Sequence, residues 1–256
     1  LTKTSIAAVT LERLKRFRLI EENRVGATSV LAQELLDEAS MTKYLEKNGP
    51  VIGSQDLKVN GSIFTKRYAF LAVLGLYCMS FLNKKIDVSP SNVRLVENIE
   101  NSLWLPHFQL QDFTLVDIQS DQDKQEYIDQ LFHHIHDMIQ SVNRATKLSD
   151  LIMWENIAVY IYWLYENEAM VEEAHSKESV QHDFKLLLAE ENHAFYSYHH
   201  NPLARYYTDK VQVIGREEEI RVRKTCCFSY KLENKEKVRC KTCPPTCKIR
   251  KQEGIS

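Results

Sequence analysis

The sequence is poor in chain breakers: seven glycines and six prolines in 256 residues. So few of each favours helices over a turn-rich β architecture. The glycines are isolated, and no G-x-G-x-x-G or Walker pattern is present, so no phosphate-cradling nucleotide loop is legible. Net charge is only −2, which excludes a global electrostatic preference for nucleic acid or a membrane surface. No apolar run is long enough to span a bilayer. The longest, Tyr68 to Leu82, covers about 22 Å as a helix against a hydrocarbon core of ~30 Å, and reads as a buried helix. No signal segment opens the sequence given, so the expected location is cytoplasmic.

A 44% share of hydrophobic residues and a 27% share of charged ones describe a globular protein able to build a core without metals or disulfides. The periodicity predicts a mainly α fold with a small β element, an α+β arrangement ending in a short irregular carboxy-terminal module. The expected division is a helical body over 1–210 and the module over 211–256. Thr4 to Asn48 reads as two helices, the first around Leu11, Leu14 and Phe17, the second from Val30 to Leu45, with Gly49-Pro50 as a stop. A third helix is expected over Lys66 to Asn83. Short strands are expected between Asp87 and Ile118, around Val93–Val96, Phe108–Leu110 and Phe113–Val116. Helices follow over Asp121 to Lys147, after a Ser149-Asp150 cap, and over Glu178 to Asn192. Alternation returns at Ile220-Arg-Val-Arg.

The cysteines are the informative residues. Of six, Cys78 lies in the apolar helix and five fall within the 22 residues from Cys226 to Cys247. Cys226-Cys227 is followed by twelve residues, Cys240-x-x-Cys243 and then Cys247. Three chemistries compete. A vicinal disulfide requires a strained ring and an oxidising compartment. Structural zinc suits Cys-x-x-Cys, but adjacent cysteines point to opposite faces of an extended chain and reach one ion only from a bent backbone. A 2Fe–2S cluster takes four thiolates spread over two irons, a larger object than one ion.

The segment RKTCCFSYKLENKEKVRCKTCPP resembles the carboxy-terminal signature of the FhuF-like ferric siderophore reductases: Cys-Cys, about ten residues, then Cys-x-x-Cys, ligating a 2Fe–2S cluster. The spacer here is two residues longer. The resemblance implies that Cys226, Cys227, Cys240 and Cys243 are the ligands, with Cys247 an extra thiol able to substitute. Ser149 to Ala158 is similar to a helical segment of that family which often reads Leu-Trp-Gly-Asn; Glu155 stands in the place of the glycine. The implied function is one-electron reduction of a ferric chelate, with release of the more weakly held ferrous iron.

From Arg216 onward twelve Lys and Arg stand against six Asp and Glu, a net +6. Arg221, Arg223 and Lys224, just before the first cysteine, are the candidate chelate-binding cations. The plainer reading is a solvated basic tail. With no nucleotide motif, electrons are expected from a separate ferredoxin, flavodoxin or flavin reductase type of donor. The rival to a reductase is a non-enzymatic helical binding protein with a zinc knuckle. His133, His134 and His136 read as helix-surface residues and His199-His200 as a loop. Trp154, Tyr160, Tyr162, Trp163 and Tyr165 read mostly as core. Arg144 and Arg205 are further candidates for chelate carboxylates.

Overall fold

The structure, a computed structural model, describes residues 4–5, 8–21, 28–195, 197–233 and 238–249. It is mainly helical with three small sheets, the α+β class the sequence implies. The centre is the helix Leu57–Leu82 (α3 in chain order), buried on almost every side. Before it come Ala8–Lys15 (α1) and Glu38–Ile52 (α2). After it come Asp121–Thr146 (α4), Asp150–Glu166 (α5), Glu168–Glu172 (α6), Lys177–Leu188 (α7) and Pro202–Tyr206 (α8).

Side-chain caps set the starts of the long helices. Asp56 accepts from Lys58 N at 2.9 Å, Ser120 from Asp123 N at 3.1 Å and Ser149 from Leu151 N at 3.3 Å. Each satisfies an N–H that has no carbonyl partner within its own helix. Helices α2, α4 and α5 all pack on α3, and α5 makes the most extensive contact. This pairing matters for function, because the cysteine segment sits on the α3–α5 face.

The strands are short. Leu19–Ile20 (β2) runs parallel to His107–Leu110 (β8), which pairs antiparallel with Val93–Val96 (β5) in the register Val93 to Leu110. Ser29–Leu31 (β3) closes that sheet against β5. A second sheet orders Thr4–Ser5 (β1), Thr114–Asp117 (β9) and Lys84–Ile86 (β4). Ile99–Glu100 (β6) and Leu103–Trp104 (β7) form a hairpin. Its two turn residues, Asn101 and Ser102, have φ of 49° and 60°, the left-handed pair a tight hairpin needs.

The expected amino-terminal organisation is corrected in two places. Val30 and Leu31 belong to a strand, because Val30 pairs with Leu95, a partner remote in sequence. Gly49-Pro50 does not stop α2. A Cβ on Gly49 would lie 2.8 Å from Ser54 O, so only glycine allows the chain to fold back this closely. The helix ends instead at Gly53, whose φ of 90° suits a left-handed cap and whose N–H bonds Gly49 O at 2.8 Å. Later on, α7 stops at Leu188 rather than Asn192, and the alternation at Ile220 yields only isolated bridges, Val211 with Ile220 and Val213 with Ile249.

Candidate metal centre

The segment leading to the paired cysteines is held to α5 by one carboxylate. Glu155 is buried, and it accepts the backbone N–H of Lys224 at 2.6 Å and of Thr225 at 2.8 Å. The Thr225 hydroxyl and the Arg223 guanidinium (3.3 Å) add to the same group. Arg223, also buried, bonds Asn156 Oδ1 at 2.7 Å. Asn156 in turn donates to Ser62 O at 3.1 Å, and Ser62 Oγ donates to Cys227 O at 2.9 Å. These contacts tie α3, α5 and the first cysteine pair into one polar network. Buried charges of opposite sign stabilise only when neighbours also satisfy their remaining atoms, as here.

The second cysteine pair is brought in by Arg223 N, which bonds Thr242 O at 3.0 Å. Cys243 N bonds Cys240 O at 3.1 Å, the tight turn that Cys-x-x-Cys forms readily. Phe228, immediately after the adjacent cysteines, has φ of 57° and turns the chain sharply.

Within this frame the four sulfurs form two pairs. Cys226 Sγ and Cys243 Sγ lie 3.9 Å apart. Cys227 and Cys240 form the other pair, close enough for each to act on the other's acidity. The neighbouring Cys240 thiol holds the Cys227 pKa well below the usual thiol range, helped by the Lys66 and Arg223 charges, and Cys240 is pushed in the opposite direction. Burial raises Cys226. Adjacent cysteines thus take different partners, one from each end of the Cys-x-x-Cys turn. Among the described residues, no three His, Cys, Asp or Glu side chains converge on a single ion position. Cys247 stands apart, with its Sγ 3.3 Å from Lys241 O.

Two thiolates bound tetrahedrally to one ion at about 2.3 Å sit about 3.8 Å apart. The Cys226–Cys243 separation matches this, and the pair-and-pair arrangement fits a two-metal group better than a single ion. Residues 223–244 match the FhuF 2Fe-2S C-terminal domain. The matched segment is similar to a FhuF-type 2Fe–2S domain. The match takes in Cys226, Cys227, Cys240 and Cys243 and ends before Cys247. The cofactor of the FhuF domain is a 2Fe–2S cluster, and the clustered thiols fit it. No curated protein matches this chain.

A cavity of about 660 Å³ opens beside the cysteine segment, with Cys240 in its wall. Lys66, Phe70, Tyr160, Trp163 and Arg221 line it as well. Phe70 packs on Tyr160 with ring centroids 4.9 Å apart, and Trp163 keeps 40% of its surface exposed. Tyr160 and Trp163 therefore belong to the cavity wall as much as to the core, whereas Trp154, Tyr162 and Tyr165 are buried as expected. Trp154 is covered by Phe195 and Tyr198.

The basic residues ahead of the cysteines are largely committed to the protein. Arg223 is spent on Glu155 and Asn156. Arg221 Nη2 bonds Glu166 at 2.8 Å, and its guanidinium lies 4.3 Å over the Tyr207 ring. Lys224 Nζ reaches Arg205 O at 2.7 Å. Arg144 donates to Leu36 O at 2.9 Å. Of the three candidate cations, Arg221 and Arg223 reach the cavity.

Several neighbours of the cysteine segment are not marked in the sequence. Lys66 and Ser62 lie on the predicted central helix or its extension and carry no motif. Glu155 gave a signal, since it breaks the resemblance at that position. The histidine reading is corrected at one residue: His134 is buried, donating from Nδ1 to Val88 O at 2.6 Å and accepting from Tyr68 Oη at 2.8 Å. His133 stays at the surface beside Asp137.

Proposed function

We propose that this protein reduces ferric chelates, with Cys226, Cys227, Cys240 and Cys243 holding the 2Fe–2S cluster and the adjoining cavity receiving the chelate. One observation carries the reading: Cys240 stands in the turn that brings Cys243 to Cys226, and it also lines the cavity. When bound, a 2Fe–2S cluster accepts and gives one electron at a time. The chain's residues do the rest. Glu155 and Ser62 fix the loop that carries the first cysteine pair. Phe70, Tyr160 and Trp163 offer apolar and π surface to an organic chelator, while Lys66 supplies positive charge for anionic oxygen donors.

The reaction balances as one electron gained by ferric iron and one lost by the protein. Hard oxygen donors hold the ferrous product far more weakly, so release follows from the reduction. Both parts of the chain contribute to the cavity, the helical body of 1–210 through α3 and α5 and the 211–256 module through Arg221 and Cys240. The proposed site of action is the cytoplasm, where thiols stay reduced. Among the described residues no helix is long and apolar enough to cross a membrane. Re-reduction falls to an external donor of the ferredoxin, flavodoxin or flavin reductase type.

The test is a single-turnover mixing experiment. Protein reduced anaerobically is mixed with ferric tris(acetohydroxamate) in the presence of a chromogenic ferrous chelator. Recovery of the oxidised visible spectrum should track formation of one ferrous complex per chain. Reoxidation no faster than in chelate-free buffer rejects the proposal.

A further inference from the structure

The two sulfur pairs have unlike surroundings. The Cys227–Cys240 pair faces the helical body and the cavity. The Cys226–Cys243 pair is covered by Arg239, whose Nη1 lies 3.7 Å from Cys226 Sγ and 3.6 Å from Cys243 Sγ. These are hydrogen-bond distances for a sulfur acceptor, and one nitrogen serves both sulfurs. The guanidinium also lies 3.9 Å above the ring of Tyr230. An aromatic face at that distance holds a cation by its quadrupole and fixes the plane of the fork. Tyr230 belongs to the 3-10 turn Ser229–Lys231, which Phe228 joins to the first cysteine pair. Arg239 is therefore positioned by one end of the spacer and acts on a sulfur from each end.

We infer that Arg239 sets the reduction potential of the centre, by donating to the Cys226 and Cys243 sulfurs and placing a fixed positive charge beside them. The inference rests on the proposed ligand set. The physical reason is charge balance. Two iron(III), two sulfides and four thiolates carry a net −2, and one added electron makes it −3. A cation against two of the thiolates stabilises the more negative state more, so it raises the potential; hydrogen bonds to the sulfurs act in the same direction. No other described arginine or lysine is hydrogen-bonded to these sulfurs, while Lys66 and Arg223 exert their field on Cys227. The centre thus has positive charge on both sides, Lys66 and Arg223 beside Cys227 and Arg239, carried by the spacer, beside Cys226 and Cys243.

The device has a functional consequence. A potential set too low slows loading by a modest donor, and one set too high cannot reduce a tightly held ferric chelate. Arg239 shifts the balance toward easy loading.

The test is a redox titration of purified full-length protein, followed by electron paramagnetic resonance, for the wild type, Arg239→Met and Arg239→Lys. Iron and acid-labile sulfide are measured on each sample. With Arg239→Met the cluster content should stay near wild type. At the wild-type midpoint, the ratio of reduced to oxidised centre should fall about tenfold, a shift of ~59 mV to lower potential. Arg239→Lys, which keeps the charge but not the fork, should recover part of it. Fully loaded variants with an unchanged or higher midpoint overturn the inference. So does loss of the cluster from both variants, which would make Arg239 a structural clamp. Wild-type protein lacking iron and sulfide instead refutes the cluster reading itself.

Discussion

Glu155 Oε2 accepts the N–H of Thr225 at 2.8 Å, across 70 residues of sequence and one residue before the first cysteine pair. Through this bond a helix that carries no cysteine decides where Cys226 and Cys227 lie. Glu155→Ala should leave Arg223 buried without its counter-charge, at a cost of about 3–5 kcal/mol. Urea unfolding should show that loss, and iron per chain should drop with it. Glu155→Gln retains an acceptor for one N–H and should lose less. Full cluster content and wild-type stability in Glu155→Ala would show that the network is dispensable.

Cys226 and Cys247 separate the proposed ligands from the bystander. Cys226→Ser should reduce iron and acid-labile sulfide to near zero. Cys247→Ser should leave both close to wild type, because its sulfur is turned to Lys241 O. The reverse pattern would place Cys247 in the ligand set.

Trp163 tests the cavity. Trp163→Ala removes exposed aromatic surface from the cavity wall and should raise KM for a ferric hydroxamate about tenfold, about 1.4 kcal/mol of ring contact. The visible spectrum and reduction potential should not change. An unaltered KM would move chelate binding elsewhere.

Burial lowers the pKa of His134 from 6.5 to about 4, against the Val88 carbonyl that favours its charged form. The carbonyl takes the Nδ1 proton, and Nε2 accepts from Tyr68, so the folded ring is neutral. The unfolded chain binds the extra proton between these values, so stability is intact above pH 6.5 and falls as pH drops toward 4. From pH 7.5 to 5 the loss should be about 2 kcal/mol. Denaturant unfolding should show a flatter pH dependence in His134→Gln by that amount. Equal slopes in the two proteins would contradict the assignment.

The helices around the core were legible because their signals are local. Ser149 and Asp150 announce a cap, and the apolar stripe of α4 repeats through Tyr127, Leu131, Ile135 and Met138. The misreadings trace to distant partners. Val30-Leu31 looked helical because its strand partner, β5, lies far along the chain, and His134 looked exposed because Tyr68 and Val88 approach from other elements. The same division holds at the site. The spacing of Cys226-Cys227 and Cys240-x-x-Cys243 shows in the sequence, but which sulfur meets which does not. Nor does the role of Arg239, which reads as one more basic residue until Tyr230 and two sulfurs are seen around it.

The cluster itself is tested by metal and sulfide analysis of anaerobically purified protein, with electron paramagnetic resonance after dithionite reduction. A 2Fe–2S protein should be red-brown with two irons and two acid-labile sulfides per chain, bleaching on reduction and gaining a spin-one-half signal. A colourless protein with one zinc per chain and no sulfide would contradict it.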